Sequence, residues 1–131
     1  MEKNSGNTKN RHRAGEDYLE AILVLSQKNG VVRSIDVANL LDYSKPSISK
    51  AVSVLKEAGY LTVDNNHYLY LTDEGRKIGE EIYERHRFFT DFLVKIGVDP
   101  KTAENDACQM EHAISADSFQ KLKSFLQDYM K

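Results

Sequence analysis

The chain of 131 residues is poor in several things, and each scarcity excludes a class of protein. It has one cysteine, Cys108, so no internal disulfide can staple it, which excludes a disulfide-framed secreted scaffold. No apolar run approaches the ~20 residues that cross a bilayer, which excludes a transmembrane helix. The opening stretch MEKNSGNTKNRHRA lacks the apolar segment of a secretory signal, so a cytoplasmic location and no membrane partner are expected. There is no internal repeat and no low-complexity segment. Nor is there an excess of basic charge: 18 Lys and Arg face 20 Asp and Glu, a formal net charge of -2. Any affinity for nucleic acid must therefore arise from local placement. What is present is an ordinary soluble composition, 40% hydrophobic and 29% charged, with room for one compact domain or two very small ones.

Residues 1–14 set Lys3, Lys9, Arg11 and Arg13 against Glu2. They read as a flexible basic tail, either an end without function or an arm that seeks phosphates. From Gly15 the period is helical, with Tyr18, Ile22 and Leu25 at three- and four-residue spacing until Asn29-Gly30. Val31-Val32-Arg33 is an extended link. Ser34 is the expected N-cap of a second helix carrying Ile35, Val37, Ala38, Leu40 and Leu41. After a turn at Asp42-Tyr43, Ser44 caps a third helix with Pro46 in its first turn and Ile48, Val52 and Leu55 on one face. Residues 60–72 alternate as a β-hairpin, with Asn65-Asn66 expected to supply the left-handed backbone. A fourth helix runs from about Thr72 to Leu93. A fifth covers roughly Ala103 to His112. A last one starts near Ser115, with Phe119, Leu122, Leu126 and Tyr129 on one stripe.

Helix, helix, turn, helix and hairpin is the order of a winged helix-turn-helix, so the expected fold is mainly α, with a helical second domain. The expected divisions are a tail at 1–14, a winged DNA-binding domain at 15–73 and a helical dimerisation and metal-binding domain at 74–131. A reading helix needs short polar side chains at its leading end; Ser44, Lys45, Ser47, Ser49 and Lys50 provide polar groups, and Pro46 among them belongs to the same candidate DNA-binding surface. Arg33 and Ser34 at the second helix and Asn65, Asn66 and His67 at the wing tip extend the candidate surface. Such residues are also what a plain solvated face carries.

The second half holds other chemistry. Cys108, Glu111 and His112 stand at i, i+3 and i+4 of one expected helix, so a thiolate, a carboxylate and an imidazole converge as a transition-metal half-site. His86 on the fourth helix and the pair Asp17 and Glu20 on the first would enlarge it to Asp17, Glu20, His86, Cys108, Glu111 and His112 if the helices meet. Each piece has a plainer reading: a solvated Glu-His pair, a small buried thiol, a carboxylate pair at a helix dipole.

These motifs together resemble the diphtheria toxin repressor / manganese transport regulator family. The resemblance rests on Glu16-Asp-Tyr-Leu-Glu20, Ser44-Lys-Pro-Ser-Ile-Ser-Lys50, Leu71-Thr-Asp-Glu-Gly75, Arg85-His86 and Asn105-Asp-Ala-Cys-Gln-Met-Glu-His112, in order along nearly the whole chain. It implies a homodimeric, metal-dependent repressor of metal-uptake genes that binds a palindromic operator in double-stranded DNA, with Phe119, Leu122 and Leu126 at the dimer interface. It implies no SH3-like third domain in this chain, no catalytic residues and no small-molecule substrate. Asp17, Glu20, His86, Glu111 and His112 fall on ligand positions of the manganese branch, where the sixth ligand is a glutamate. Cys108 with Glu111 and His112 instead resembles the primary site of the iron-responsive branch, whose second-site residues are replaced here by Thr90 and Glu104. The chain is a hybrid of the two. Mn(II) and Fe(II) are the expected cofactors, with Zn(II) or Co(II) as substitutes in vitro. A winged-helix regulator answering another ligand through a vestigial metal site, and a small helical metalloenzyme, are the alternatives.

Overall fold

A computed structural model describes the backbone of residues 2–129 and the side chains of 13–129. The elements are α1 (Glu2–Asn29), α2 (Ser34–Leu41), α3 (Lys45–Glu57), β1 (Leu61–Val63), β2 (Leu69–Leu71), α4 (Asp73–Lys95), α5 (Pro100–Met110) and α6 (Ala116–Leu126), with a closing 3-10 turn at Gln127–Tyr129. The chain forms two compact units, one ending at Glu80 and the next beginning at Glu81. The division falls inside α4, later than the expected start of the second domain at residue 74. The first turns of α4 belong to the winged core: Ile78 packs against it, and a Cβ on Gly79 would stand 3.1 Å from the Leu19 carbonyl oxygen.

In the first unit, α1 buries Leu19, Ala21, Ile22 and Leu25 against Val37 and Ala38 of α2, Ile48 and Leu55 of α3, and Leu61 and Leu69 of the hairpin. α1 is described from Glu2, so the stretch expected as a tail falls on its first turns; no proline precedes Pro46 to interrupt it. The side chains of Lys3, Lys9 and Arg11 lie outside the described residues. The helix stops where Gly30 takes φ +85°, as the Asn29-Gly30 pair predicts.

Two local expectations need correction. The cap of α2 is Arg33, not Ser34: Arg33 is extended, its N–H donates to Asp36 Oδ2 at 2.9 Å, and Ser34 is the first helical residue. At the wing, the left-handed residue is His67 (φ +66°) rather than Asn65 or Asn66. Asp64 decides this, because its Oδ1 accepts from the N–H groups of both Asn66 and Tyr68 at 2.9 Å and closes the turn ahead of His67. β1 and β2 pair antiparallel in the register Leu61–Leu71, Thr62–Tyr70 and Val63–Leu69. The 31–33 link adds a third extended segment beside β2, with Leu69 N–H donating to the Val32 carbonyl at 2.7 Å.

The Leu-Thr-Asp-Glu-Gly stretch after the wing has a local physical role. Thr72 Oγ1 donates to the Gly59 carbonyl at 2.7 Å and accepts from Gly75 N–H at 3.1 Å, which caps α4. A Cβ on Gly75 would stand 1.9 Å from the Tyr60 carbonyl oxygen, so only glycine fits.

In the second unit the apolar core is small. Phe89, Ala107 and Phe119 are buried, with Phe88, Met110, Ile114 and Leu122 against them. The three phenylalanines meet edge to face, with ring centroids 5.5–5.8 Å apart. α5 begins at Pro100, earlier than expected, because Asp99 Oδ2 caps the N–H groups of Lys101 and Thr102. Ser115 caps α6 through Ser118 N–H, as expected.

Candidate metal centre and nucleic-acid interface

The metal-ligand candidates of the second unit gather around Glu111. α5 ends at Met110, so Glu111 is its C-cap and His112 lies in the following turn, not on the helix as expected. The reason is Arg85 on α4. Its Nη1 donates to the Glu111 carbonyl at 3.2 Å and to the Ile114 carbonyl at 2.8 Å, and its guanidinium stands 5.5 Å from the Phe119 ring centre. The clamp takes up carbonyls at the helix end and fixes the turn that carries two candidate ligands.

The Glu111 side chain is fully buried. Nδ1 of His86 lies 2.9 Å from its Oε2, with the imidazole N–H donating. Nε2 of His112 stands 3.3 Å from Oε1. That contact is an ion-pair approach without hydrogen-bond alignment, so Oε1 has no hydrogen-bond partner among the described residues. Burial pushes the Glu111 carboxyl up, but its contacts with His112 and His86 outweigh this and hold it below the usual carboxylate range. Cys108, half-buried on α5, places Sγ within 4.8 Å of a Glu111 carboxylate oxygen. Nε2 of His86 also approaches the exposed Glu104 carboxylate at 4.0 Å. A buried carboxylate with one oxygen on the His86 imidazole and the other, without a hydrogen-bond donor, beside His112, together with a nearby thiol, makes a donor set that a divalent transition metal fits. Asp17 and Glu20 lie on α1 in the first unit, three residues apart and half-buried.

The first unit presents the candidate nucleic-acid residues. Ser44, extended at φ -70°, caps α3: it accepts from Ser47 N–H at 3.3 Å and donates to Ser47 Oγ at 2.9 Å. Ser44, Lys45, Pro46, Ser47, Ser49 and Lys50 are all exposed, and the first turn of α3 has no acidic residue. A cleft of about 270 Å³ between α2 and α3 is lined by Ser34, Ile35, Ala38, Lys45, Ile48 and Ser49. Arg33 and Asn66 are exposed on the same unit. Tyr43, just before α3, meets Tyr18 edge to face with ring centroids 5.8 Å apart.

Of the expected interface residues, Phe119 lies in the core of its own unit, edge-on to Phe88 and Phe89. Leu122 packs partly against that core, and Leu126 is half-buried. The exposed aromatics of this end are Phe125 and Tyr129, one position off the expected stripe and at its end. The role of Arg85 was missed from sequence; the signal was a basic residue directly before a candidate ligand, with helix-end carbonyls to satisfy.

A winged helix presenting a helix whose first turn carries serine and lysine without an acidic residue, followed by a helical unit with a buried carboxylate–imidazole cluster, defines a DNA-binding regulator with a metal centre. The comparisons agree in both halves. Residues 12–69 match the profile of the iron dependent repressor, N-terminal DNA binding domain, and residues 72–131 match that of the iron dependent repressor, metal binding and dimerisation domain. The HTH-type transcriptional regulator MntR of Shouchella clausii is 34% identical over 116 residues, covering 88% of this chain and 81% of that protein. The transcriptional regulator MntR of Salmonella typhimurium is 33% identical over 114 residues, covering 87% of this chain and 73% of that one. Among solved structures, the manganese regulator SloR superposes with a TM-score of 0.77 at 25% identity over 86% of this chain, which spans 53% of the SloR chain. The chain belongs to the diphtheria toxin repressor / manganese transport regulator family of metal-dependent, DNA-binding transcriptional regulators.

Proposed function

We propose that this chain is a cytoplasmic, homodimeric repressor of metal-uptake genes that responds to Mn(II) or Fe(II), and is not an enzyme. The observation that carries the reading is Glu111 Oε1, a buried carboxylate oxygen without a hydrogen-bond donor beside His112, in a chain whose second half matches a metal-binding and dimerisation domain. The proposed ligand set is Asp17, Glu20, His86, Cys108, Glu111 and His112. The Cys108 thiolate favours Fe(II), and the carboxylates favour Mn(II). A bound divalent ion supplies the positive charge that lets these acidic groups sit together. The chain's own residues do the rest. Arg85 holds the Glu111–Ile114 turn in place. Ser44 to Lys50 on α3 meet the major groove of a palindromic operator, with Arg33, Ser34 and Asn66 at its flanks. Residues toward the end of α6 pair two copies. Because metal and operator favour the same state, their coupling is reciprocal, and operator DNA tightens metal binding.

The test is fluorescence anisotropy of a labelled duplex from the region upstream of the chain's own coding sequence, at fixed salt. The arms are chelator, Mn(II), anaerobic Fe(II), Co(II) and Zn(II). Mn(II) or Fe(II) is expected to tighten binding at least about tenfold, near 1.4 kcal/mol of coupling. Equal binding in chelator overturns the metal switch.

A further inference from the structure

Tyr68, at the end of the wing turn, contacts one of the residues proposed for DNA contact. Arg33 Nη2 donates to the Tyr68 hydroxyl at 3.2 Å, and the guanidinium carbon stands 4.8 Å from the centre of the same ring. Both backbones are fixed independently of that contact. Arg33 and Tyr68 form an antiparallel bridge, flanked by the Leu69 N–H to Val32 carbonyl bond. Tyr68 N–H is further held by Asp64 Oδ1, and Arg33 N–H by Asp36 Oδ2. An exposed arginine would otherwise lose much rotamer freedom on binding a phosphate. Here the loss is taken on folding. The guanidinium carries five N–H donors, and the pairing with Tyr68 is made through Nη2 alone.

We infer that Tyr68 is a positioning residue for DNA binding: its ring and hydroxyl hold the Arg33 guanidinium where the wing joins the start of α2, with the rest of the fork left to bind a backbone phosphate. The inference rests on the DNA-binding reading above. It adds to the reading surface a residue that makes no contact with the duplex itself. A phosphate contact of this kind sets register and affinity without reading sequence.

The test is a double-mutant cycle on the full chain, with Mn(II) and in parallel with anaerobic Fe(II), using the same duplex and a scrambled one across a salt series. Arg33→Ala is expected to lower the slope of log affinity against log salt by about 0.9, one phosphate contact, on both duplexes. Tyr68→Ala is expected to weaken binding about two- to fivefold in the native background and to change nothing in the Arg33→Ala background. Tyr68→Phe keeps the ring and loses the hydroxyl, and is expected to fall between Tyr68→Ala and the native chain. If Tyr68→Ala fails to fold, the Tyr68→Phe cycle decides by the same non-additivity. Additive losses, or a Tyr68→Phe chain that binds as the native one does, overturn the positioning role while leaving DNA binding standing. A native chain that binds neither duplex overturns both.

Discussion

The two units use their interiors differently. The first buries aliphatic side chains from α1, α2, α3, β1 and β2 and puts its polar chemistry outside, where α3 offers short hydroxyls and lysines to solvent. The second buries fewer apolar side chains, Ile82, Phe89, Ala103, Ala107 and Phe119, and also the Glu111 carboxylate. A unit that reads a surface gains from a closed apolar core beneath a rigid display helix. A unit that must hold an ion gives up part of its interior to groups whose burial is costly until they are compensated. The contrast predicts that the first unit fails through packing and the second through loss of polar fastening.

The largest effect expected is from Gly75→Ala. The new Cβ would overlap the Tyr60 carbonyl oxygen, backbone that cannot swing aside, so a loss of about 3 kcal/mol or more is expected. Thermal melts and loss of DNA binding would both report it, and an unchanged melt would show that this junction is softer than it looks. Next is Arg85→Ala, which strips charge-assisted bonds from the Glu111 and Ile114 carbonyls and should cost about 1.5–3 kcal/mol. It should also weaken metal binding measured by calorimetry, while isolated losses of stability without any change in metal affinity would break the link between clamp and site.

The smallest effect sits at the wing. Asp64 is held below its ordinary value chiefly by the Tyr68 N–H, with the Tyr70 hydroxyl and the Asn66 N–H, which together outweigh desolvation. A depressed carboxyl stabilises the fold above the unfolded value, and that contribution disappears as pH falls through the lowered folded value. The protection factor of the Tyr68 amide, its exchange rate corrected for the intrinsic rate at each pH, should therefore hold at neutral pH and fall only below the usual carboxylate range. An Asp64→Asn chain, whose amide oxygen still accepts but does not titrate there, should lack that acid step.

Much of the architecture was legible because its signals are local. Gly30, Ser44, Pro46 and Ser115 act on their own turns, and apolar periods marked the helices. What escaped depends on a specific partner, distant in sequence for Arg33 and for the end of α5, and within the same turn for His67. Arg33 became a cap because a bridge to Tyr68 holds it extended, and His67 went left-handed because Asp64 closed the turn first. Glu111 and His112 were legible as chemistry, whereas their place past the end of α5 was not, since Arg85 ends that helix from another element. Phe119 was legible as apolar, but composition does not separate a core from an interface.

The Arg85 clamp also sets an order of events during synthesis. Its partners are the Glu111 and Ile114 carbonyls and the Phe119 ring, whereas the winged core takes its last side chain from Ile78. About 40 residues separate the two points, which at ~5–20 residues per second is a delay of roughly two to eight seconds on the ribosome. Each newborn chain therefore has the parts of its reading head before it has those of its sensor.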